Sequence, residues 1–352
     1  MVSLWGLFEQ KNNWVLELLK PILPAGVSAD PHAYRQAIWT IAYAAFFQVE
    51  LVFIMLLVVL IGPNLISRDL RFNAFPLYFS RPLTRLDYFL GKLGVIATLV
   101  AAVAVVPALA AYVLGVCFSL DLKVIRDTWH LPLVSALYGL VIVVSVGTLM
   151  LALSSLSRRS LYVGIAWVGF WIVSSTVASV LEGIHQSTVF FAVHQEEMAN
   201  RPAETPPEQE SPAAADASAR QRPQPRPFQD PVWQRTQERA RSELAKTAPT
   251  DWRPLCSYKA NLARVGEALF NTDAAWVQIG KAIATPRPSF METLFHRKDS
   301  EKPEASASVN RRLADQFVPQ YPWIWSAGAL AGLLGMSLWI LSMRVKSLDR
   351  LR

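Results

Sequence analysis

A chain of 352 residues with 17% charged and 52% hydrophobic residues departs from soluble globular proteins, in which about 25% of residues are charged. The formal net charge of +7 does not indicate nucleic-acid binding, because the basic residues cluster beside apolar blocks in the positive-inside pattern rather than along a stripe. Two cysteines, Cys117 in an apolar block and Cys256 in a polar segment, do not form a disulfide framework and leave the redox compartment unread. The N-terminus lacks the basic patch and apolar core of a cleavable signal peptide.

Residues 1–36 carry Leu4, Phe8, Trp14, Leu18 and Ile22 at roughly helical spacing, broken by Glu9, Lys11, Glu17 and Lys20. This pattern predicts an interfacial amphipathic helix too polar to span. Apolar blocks near the roughly 20 residues a bilayer needs follow within 37–62 and at 92–117, 132–153, 161–183 and 323–343. The predicted fold class is therefore all-α, a polytopic membrane helix bundle with five spans: four in a domain over 37–183, the fifth in 322–352.

The short connections set the orientation. Segment 63–92 carries Arg68, Arg71, Arg81, Arg85 and Lys92, the 154–160 turn Arg158 and Arg159, and the tail Arg344, Lys346, Arg350 and Arg352. All three belong on the cytoplasmic side, with the C-terminus inside and residues 184–321 outside. In that external region eight prolines between Pro202 and Pro231 among Glu, Gln, Ala and Ser predict a disordered insert over 199–231. Helical spacing resumes over 233–300, where a solvated helix at 233–246 and a second stretch at 258–283 suggest a small external helical subdomain.

Chemistry-bearing patterns are scarce. No G-x-x-x-x-G-K-[ST] phosphate loop occurs, and neither Gly91-Lys92 nor Gly280-Lys281 has the required neighbours. The five histidines show no metal-ligand spacing, and there is no nucleophile elbow, so no catalytic residue, metal or cofactor is expected on this chain. Glu50, with Gln48, interrupts the first span. It reads either as an intramembrane substrate or proton site, costing about 2.5–3.5 kcal/mol at the bilayer centre, or as an interfacial residue if the span begins near Phe46.

The stretch from Gly62 to Lys92, GPNLISRDLRFNAFPLYFSRPLTRLDYFLGK, carries more than charge. Leu65, Ile66, Leu70, Phe72, Phe75, Leu77, Tyr78 and Phe79 alternate with Arg68, Asp69, Arg71 and Arg81, an amphipathic pattern suited to lying on a membrane or docking on a protein. The stretch resembles the cytoplasmic segment of type-two ABC exporter permeases: a glycine-proline closing one span, an I-S/A-x-D-x-R element, then L-Y-x-S-R-P-L-x-R-x-x-Y-x-x-G-K opening the next. Gly62, Pro63, Ile66, Ser67, Asp69, Arg71, Leu77, Tyr78, Ser80, Arg81, Pro82, Leu83, Arg85, Tyr88, Gly91 and Lys92 match it.

The resemblance implies a bacterial inner-membrane permease subunit that forms a homo- or heterodimer with a second permease subunit and pairs with two copies of an ABC ATPase subunit, where ATP and Mg would bind. It makes 63–92 the coupling segment, with Arg68, Asp69, Arg71, Arg81 and Arg85 in polar contact with the ATPase, Phe72, Phe75 and Tyr78 filling its groove, Pro82 in the intervening turn, and Gly62, Pro63 and Gly91 as span hinges. Family members usually have six spans. Five here imply either a late start or an interfacial helix over 1–36 standing in for the first. Two other classes remain open from the residues alone: an ion-coupled secondary transporter using Glu50, and a membrane scaffold with an external partner-binding region.

Overall fold

The computed structural model describes residues 33–72, 84–119, 123–200, 231–284 and 320–349, and among them every regular element is helical. Among the described residues, five helical segments are long and apolar enough to cross a membrane: Arg35–Arg71, Leu86–Phe118, Lys123–Leu156, Ser160–Ala199 and Trp323–Arg344. These correspond to the five blocks expected from hydropathy. The chain divides into two compact units.

The first unit holds most of the spans. Helix α1 (Arg35–Ile61) is apolar all round, as a buried or lipid-bathed helix must be. Its buried face, Trp39, Tyr43, Phe47, Leu51, Ile54 and Val58, repeats at helical spacing and forms the centre of the apolar core. After Gly62-Pro63 the short helix α2 (Asn64–Arg71) follows. The second span is built of α3 (Arg85–Val100) and α4 (Val106–Phe118), separated by a π-helical turn over Ala101–Val105. The wide turn immediately precedes Pro107, whose ring and missing N–H disrupt a regular ladder. The third span comprises α5 (Lys123–Thr128), α6 (His130–Ile142), a second π-turn over Val143–Gly147, and α7 (Thr148–Leu156). The first part of α8 (Ser160–Ala199) supplies the fourth span, and α12 (Trp323–Asp349), packed on α7, the fifth.

Polar groups tie these spans where apolar packing alone sets no register. Tyr43 donates its hydroxyl to the Ala108 carbonyl at 2.9 Å, and Trp167 Nε1 donates to the Met55 carbonyl at 3.1 Å. At the start of α1, buried Arg35 pairs with Asp127 at 3.3 Å.

Between α9 (Pro231–Thr247) and α12 lie α10 (Tyr258–Phe270) and α11 (Thr272–Ala284), a helical hairpin. At about 1.5 Å per residue, neither 13-residue helix reaches the roughly 30 Å of a hydrocarbon core. Asn271 adopts the left-handed conformation (φ 58°, ψ 44°) that closes α10, and Arg264 grips Asp273 across the turn through two bonds of 2.9 and 2.8 Å. The hairpin packs on α1, α6 and α12: Phe270 meets Phe47, Tyr43 and Tyr138, Tyr138 donates to the Leu262 carbonyl at 2.9 Å, and Tyr258 meets Ser145 of the second π-turn at 2.9 Å. Gly266 permits this docking, since a Cβ there would lie 2.5 Å from the Tyr138 ring.

The second unit contains the C-terminal part of α8, from Ala178, and α9. Phe190 stacks on His194 and meets Trp233, with ring centroids 6.0 and 5.1 Å apart, while Glu197 pairs with Arg239 at 2.9 Å. The stretches at 233–246 and 258–283, read together from the sequence as one subdomain, thus fall in different compact units. Hydrophobic spacing marked both as helical but gave no indication that the second would bury Tyr258, Leu262 and Phe270 among the spans. The helix expected within 1–36 and the insert expected over 199–231 lie outside the described residues except at their ends, where Arg35 already opens α1.

Candidate functional site

The resembling stretch opens at the junction of α1 and α2. Gly62 has ordinary right-handed helical dihedrals (φ −58°, ψ −44°), and its N–H still bonds to the Val58 carbonyl at 2.8 Å. Its missing side chain serves packing: a Cβ there would lie 2.6 Å from Met150 Cε of α7. Gly91, the other glycine expected to act as a hinge, sits inside continuous helix α3 with open space around it. Neither glycine has a backbone conformation that calls for glycine, and the two differ in that only Gly62 is required by its neighbours.

Pro63 cannot donate, and the first N–H groups of α2 need acceptors other than its own preceding turn. Ser154 of α7 provides one. Its hydroxyl accepts from both Ile66 N and Ser67 N at 3.1 Å and donates to the Pro63 carbonyl at 3.0 Å. The Ser67 hydroxyl also bonds to that carbonyl. With Leu65 and Ile66 buried beside them, these bonds fix the inner face of α2 against α7.

The outer face has a different character. Arg68, Arg71 and Phe72 are exposed, Phe72 by 67%, and the Arg71 guanidinium lies 5.6 Å from the Phe72 ring centroid. Both arginines occupy the last turn, where positive charge complements the helix dipole. Asp69 departs from the expected outward role. It accepts from the Tyr88 hydroxyl at 2.6 Å and pairs with Lys92 at 2.8 Å, and Lys92 also lies 5.4 Å from the Tyr88 ring centroid. The reason is positional: largely buried Asp69 points back at α3, where Tyr88 and Lys92, one turn apart, form a cradle for its carboxylate.

The start of α3 is a capping box. Thr84 Oγ1 accepts from Asp87 N at 3.2 Å, and Thr84 N donates to Asp87 Oδ2 at 3.0 Å. Phe75, Tyr78, Arg81 and Pro82 lie outside the described residues, as does the side chain of Arg85. Sequence reading missed Ser154 and the pairing of Asp69 with Tyr88 and Lys92. The signal for the latter was the Y-x-x-x-K spacing, one helical turn, opposite a lone acidic residue.

Glu50 lies near the middle of α1, 15 residues after the helix starts at Arg35, and one of its carboxylate oxygens is buried without a hydrogen-bond partner among the described residues. Gln48 instead reaches the hairpin, donating to Glu267 at 3.3 Å. Among the described residues no three His, Cys, Asp or Glu side chains gather as metal ligands.

Among the described residues, five helical segments long and apolar enough to cross a bilayer define an integral, multi-pass membrane protein. The chain belongs to the ABC-2 transporter family: the model for the ABC-2 family transporter protein matches residues 29–231, more than half of its length. It is accordingly a transmembrane subunit of an ABC-type transporter, in a family whose domain is a membrane subunit and not itself catalytic. No curated protein and no solved structure matches the chain.

Proposed function

We infer that the chain is the permease half of an exporter in a bacterial inner membrane, driven by ATP hydrolysis on two copies of a separate ATPase subunit and working beside a second permease subunit. The single observation that supports the reading is the two-sidedness of α2. Its inner face is fastened to the second and third spans through Asp69 and Ser154, while Arg68, Arg71 and Phe72 stand exposed on the other. A rigid element anchored to two spans transmits a push on its free face as rigid-body motion, the mechanics an ATPase that closes on nucleotide needs. Arg68 and Arg71 would pair with acidic groups of the ATPase, and Phe72 would enter its groove. The role given to Asp69 becomes internal, holding α2 to α3.

The reading puts α2, the 154–160 turn and the C-terminus on the cytoplasmic side, which the basic residues of these segments favour. Purification of the full chain from its native membrane in mild detergent tests the reading. Recovery with an ATP-hydrolysing subunit, lost in an Arg68→Glu, Arg71→Glu double variant that still elutes as a monodisperse particle, is the expected outcome. Recovery with no such subunit contradicts it.

The unpartnered oxygen of Glu50 favours one second reading, transport coupled to an ion gradient. That reading requires transport without ATP that is abolished by Glu50→Gln.

A further inference from the structure

Between the end of α1 and the start of α8, within the first compact unit, lies a groove of about 630 Å³. Its walls are apolar: Val59 and Leu60 on one side, Leu161, Ile165 and Val168 on the other. Two glycines of α8 line it without side chains. At Gly164 the helix passes so close to the junction of α1 and α2 that a Cβ would lie 3.7 Å from Pro63 Cγ, while at Gly169 a Cβ would meet nothing within 4 Å. On α8 the lining runs from Ser160 to Gly169. At about 1.5 Å per residue this is about 14 Å, close to the depth of one leaflet of a hydrocarbon core about 30 Å thick.

One end of the groove is polar and basic. Asn64 and Ser160 line it there, and Ser160 directly follows Arg158 and Arg159. Asn64 and Arg158 are exposed, and neither side chain has a partner among the described residues. The Arg159 guanidinium lies 5.9 Å from the ring centroid of Tyr162, in the first turn of α8. No acidic residue occurs within 59–68 or 154–169 to neutralise this end, and Asp69 is already held by Lys92.

We propose that this groove is a binding site for one anionic phospholipid, with an acyl chain against Val59, Ile165 and Val168 and the headgroup phosphate held by Asn64, Arg158 and Arg159. The walls disfavour water, and the surrounding solvent at this depth is lipid. A helix of a neighbouring subunit would follow the spans through both leaflets and would set apolar side chains against Asn64 and Arg158. A groove that is basic at its mouth and apolar for one leaflet's depth instead matches the polarity of a single phospholipid. Guanidinium groups pair their N–H donors with phosphate oxygens, and basic residues beside a span attract anionic headgroups. The positive-inside tendency alone accounts for arginines in this turn, but not for the open groove beneath them. Under the orientation proposed above, the lipid belongs to the cytoplasmic leaflet.

Native mass spectrometry of the full chain, released from nanodiscs of equal phosphatidylglycerol and phosphatidylcholine, tests the site. One phosphatidylglycerol per chain should survive removal of the bulk lipid, preferred over phosphatidylcholine by roughly tenfold. Gly169→Phe, whose ring occupies the groove, should cut retention of either lipid by roughly tenfold, because the chain's contact area is lost. Leu137→Phe, the same ring on an exposed position of α6, should retain lipid as the parent does. Arg158→Gln with Arg159→Gln should bring the two lipids to parity. Equal retention of both lipids by the parent chain, or undiminished retention in Gly169→Phe, overturns the proposal. A loss shared by Leu137→Phe would show annular lipid only, and two copies per particle holding no lipid would give the groove to a neighbouring helix; either result also overturns it. No ATPase subunit enters the measurement, so failure of the coupling reading would leave these outcomes unchanged.

Discussion

The Asp69 carboxylate at the end of α2 holds the Lys92 ammonium of α3 at 2.8 Å, tying the two helices together. Both partners are largely buried, and the Tyr88 hydroxyl adds a second bond to the same oxygen. Lys92→Met removes the charge partner while keeping the stem. Hydrogen bonds to charged groups contribute about 1.5–3 kcal/mol, so the variant should lower the thermal midpoint of the detergent-solubilised protein by several degrees, and adding Asp69→Asn should recover part of the loss. An additive double variant would show that the pair is not coupled.

Ser154→Ala leaves the Ile66 and Ser67 N–H groups without their acceptor in a buried position. Unsatisfied buried donors cost about 1–3 kcal/mol, concentrated here in α2 and its junction. Hydrogen exchange should therefore rise over 65–71 while the α1 amides stay protected. Unchanged exchange in α2 would mean that Ser154 does not anchor it.

The two glycines of the stretch should part company. Gly62→Val overpacks against Met150 and is expected to destabilise by about 1–3 kcal/mol, with partial rescue by Met150→Ala. Gly91→Ala fills open space in a helix interior and should stabilise by about 0.5–1 kcal/mol with transport intact. Loss of transport in Gly91→Ala at unchanged stability would restore it as a hinge.

Much of the architecture was written in hydropathy. Spans announce themselves because about 20 apolar residues in a row have few other uses, and the broken end of the first span was legible in Gly62-Pro63 and the basic residues beyond. Side-chain direction was not. Asp69 and Arg71 look alike in a string of charged residues, and only the placement of α3 turns one inward and leaves the other bare. The hairpin was hidden for a similar reason. The 258–283 stretch showed helical spacing alone, and its burial depends on Tyr138, Ser145 and Gln48 of distant spans offering polar partners.

Glu267 gives the hairpin a pH signature. Burial raises its carboxyl above the ordinary value of 4.5, partly offset by the Arg264 charge, with Asp273, Gln48 and Tyr138 the other polar groups around it. For an acid whose folded value lies above its unfolded one, the folded state takes up the proton first as pH falls. The cost of the buried charge is thus fully present above the folded value, and is removed progressively down to about 4.5. Between about pH 8 and pH 5 the thermal midpoint of the parent chain should rise relative to that of Glu267→Gln, whose own curve lacks this component. Parallel curves would mean that the carboxylate is not buried at a cost.

The outer face of α2 tests the central claim most directly. In proteoliposomes containing the full chain and its ATPase subunit, hydrolysis should be stimulated over the ATPase subunit alone, and Arg71→Glu with Phe72→Ala should abolish that stimulation while the Lys92→Met variant keeps the subunit bound. Equal stimulation by the parent chain and the Arg71→Glu, Phe72→Ala variant would contradict a coupling role for this helix.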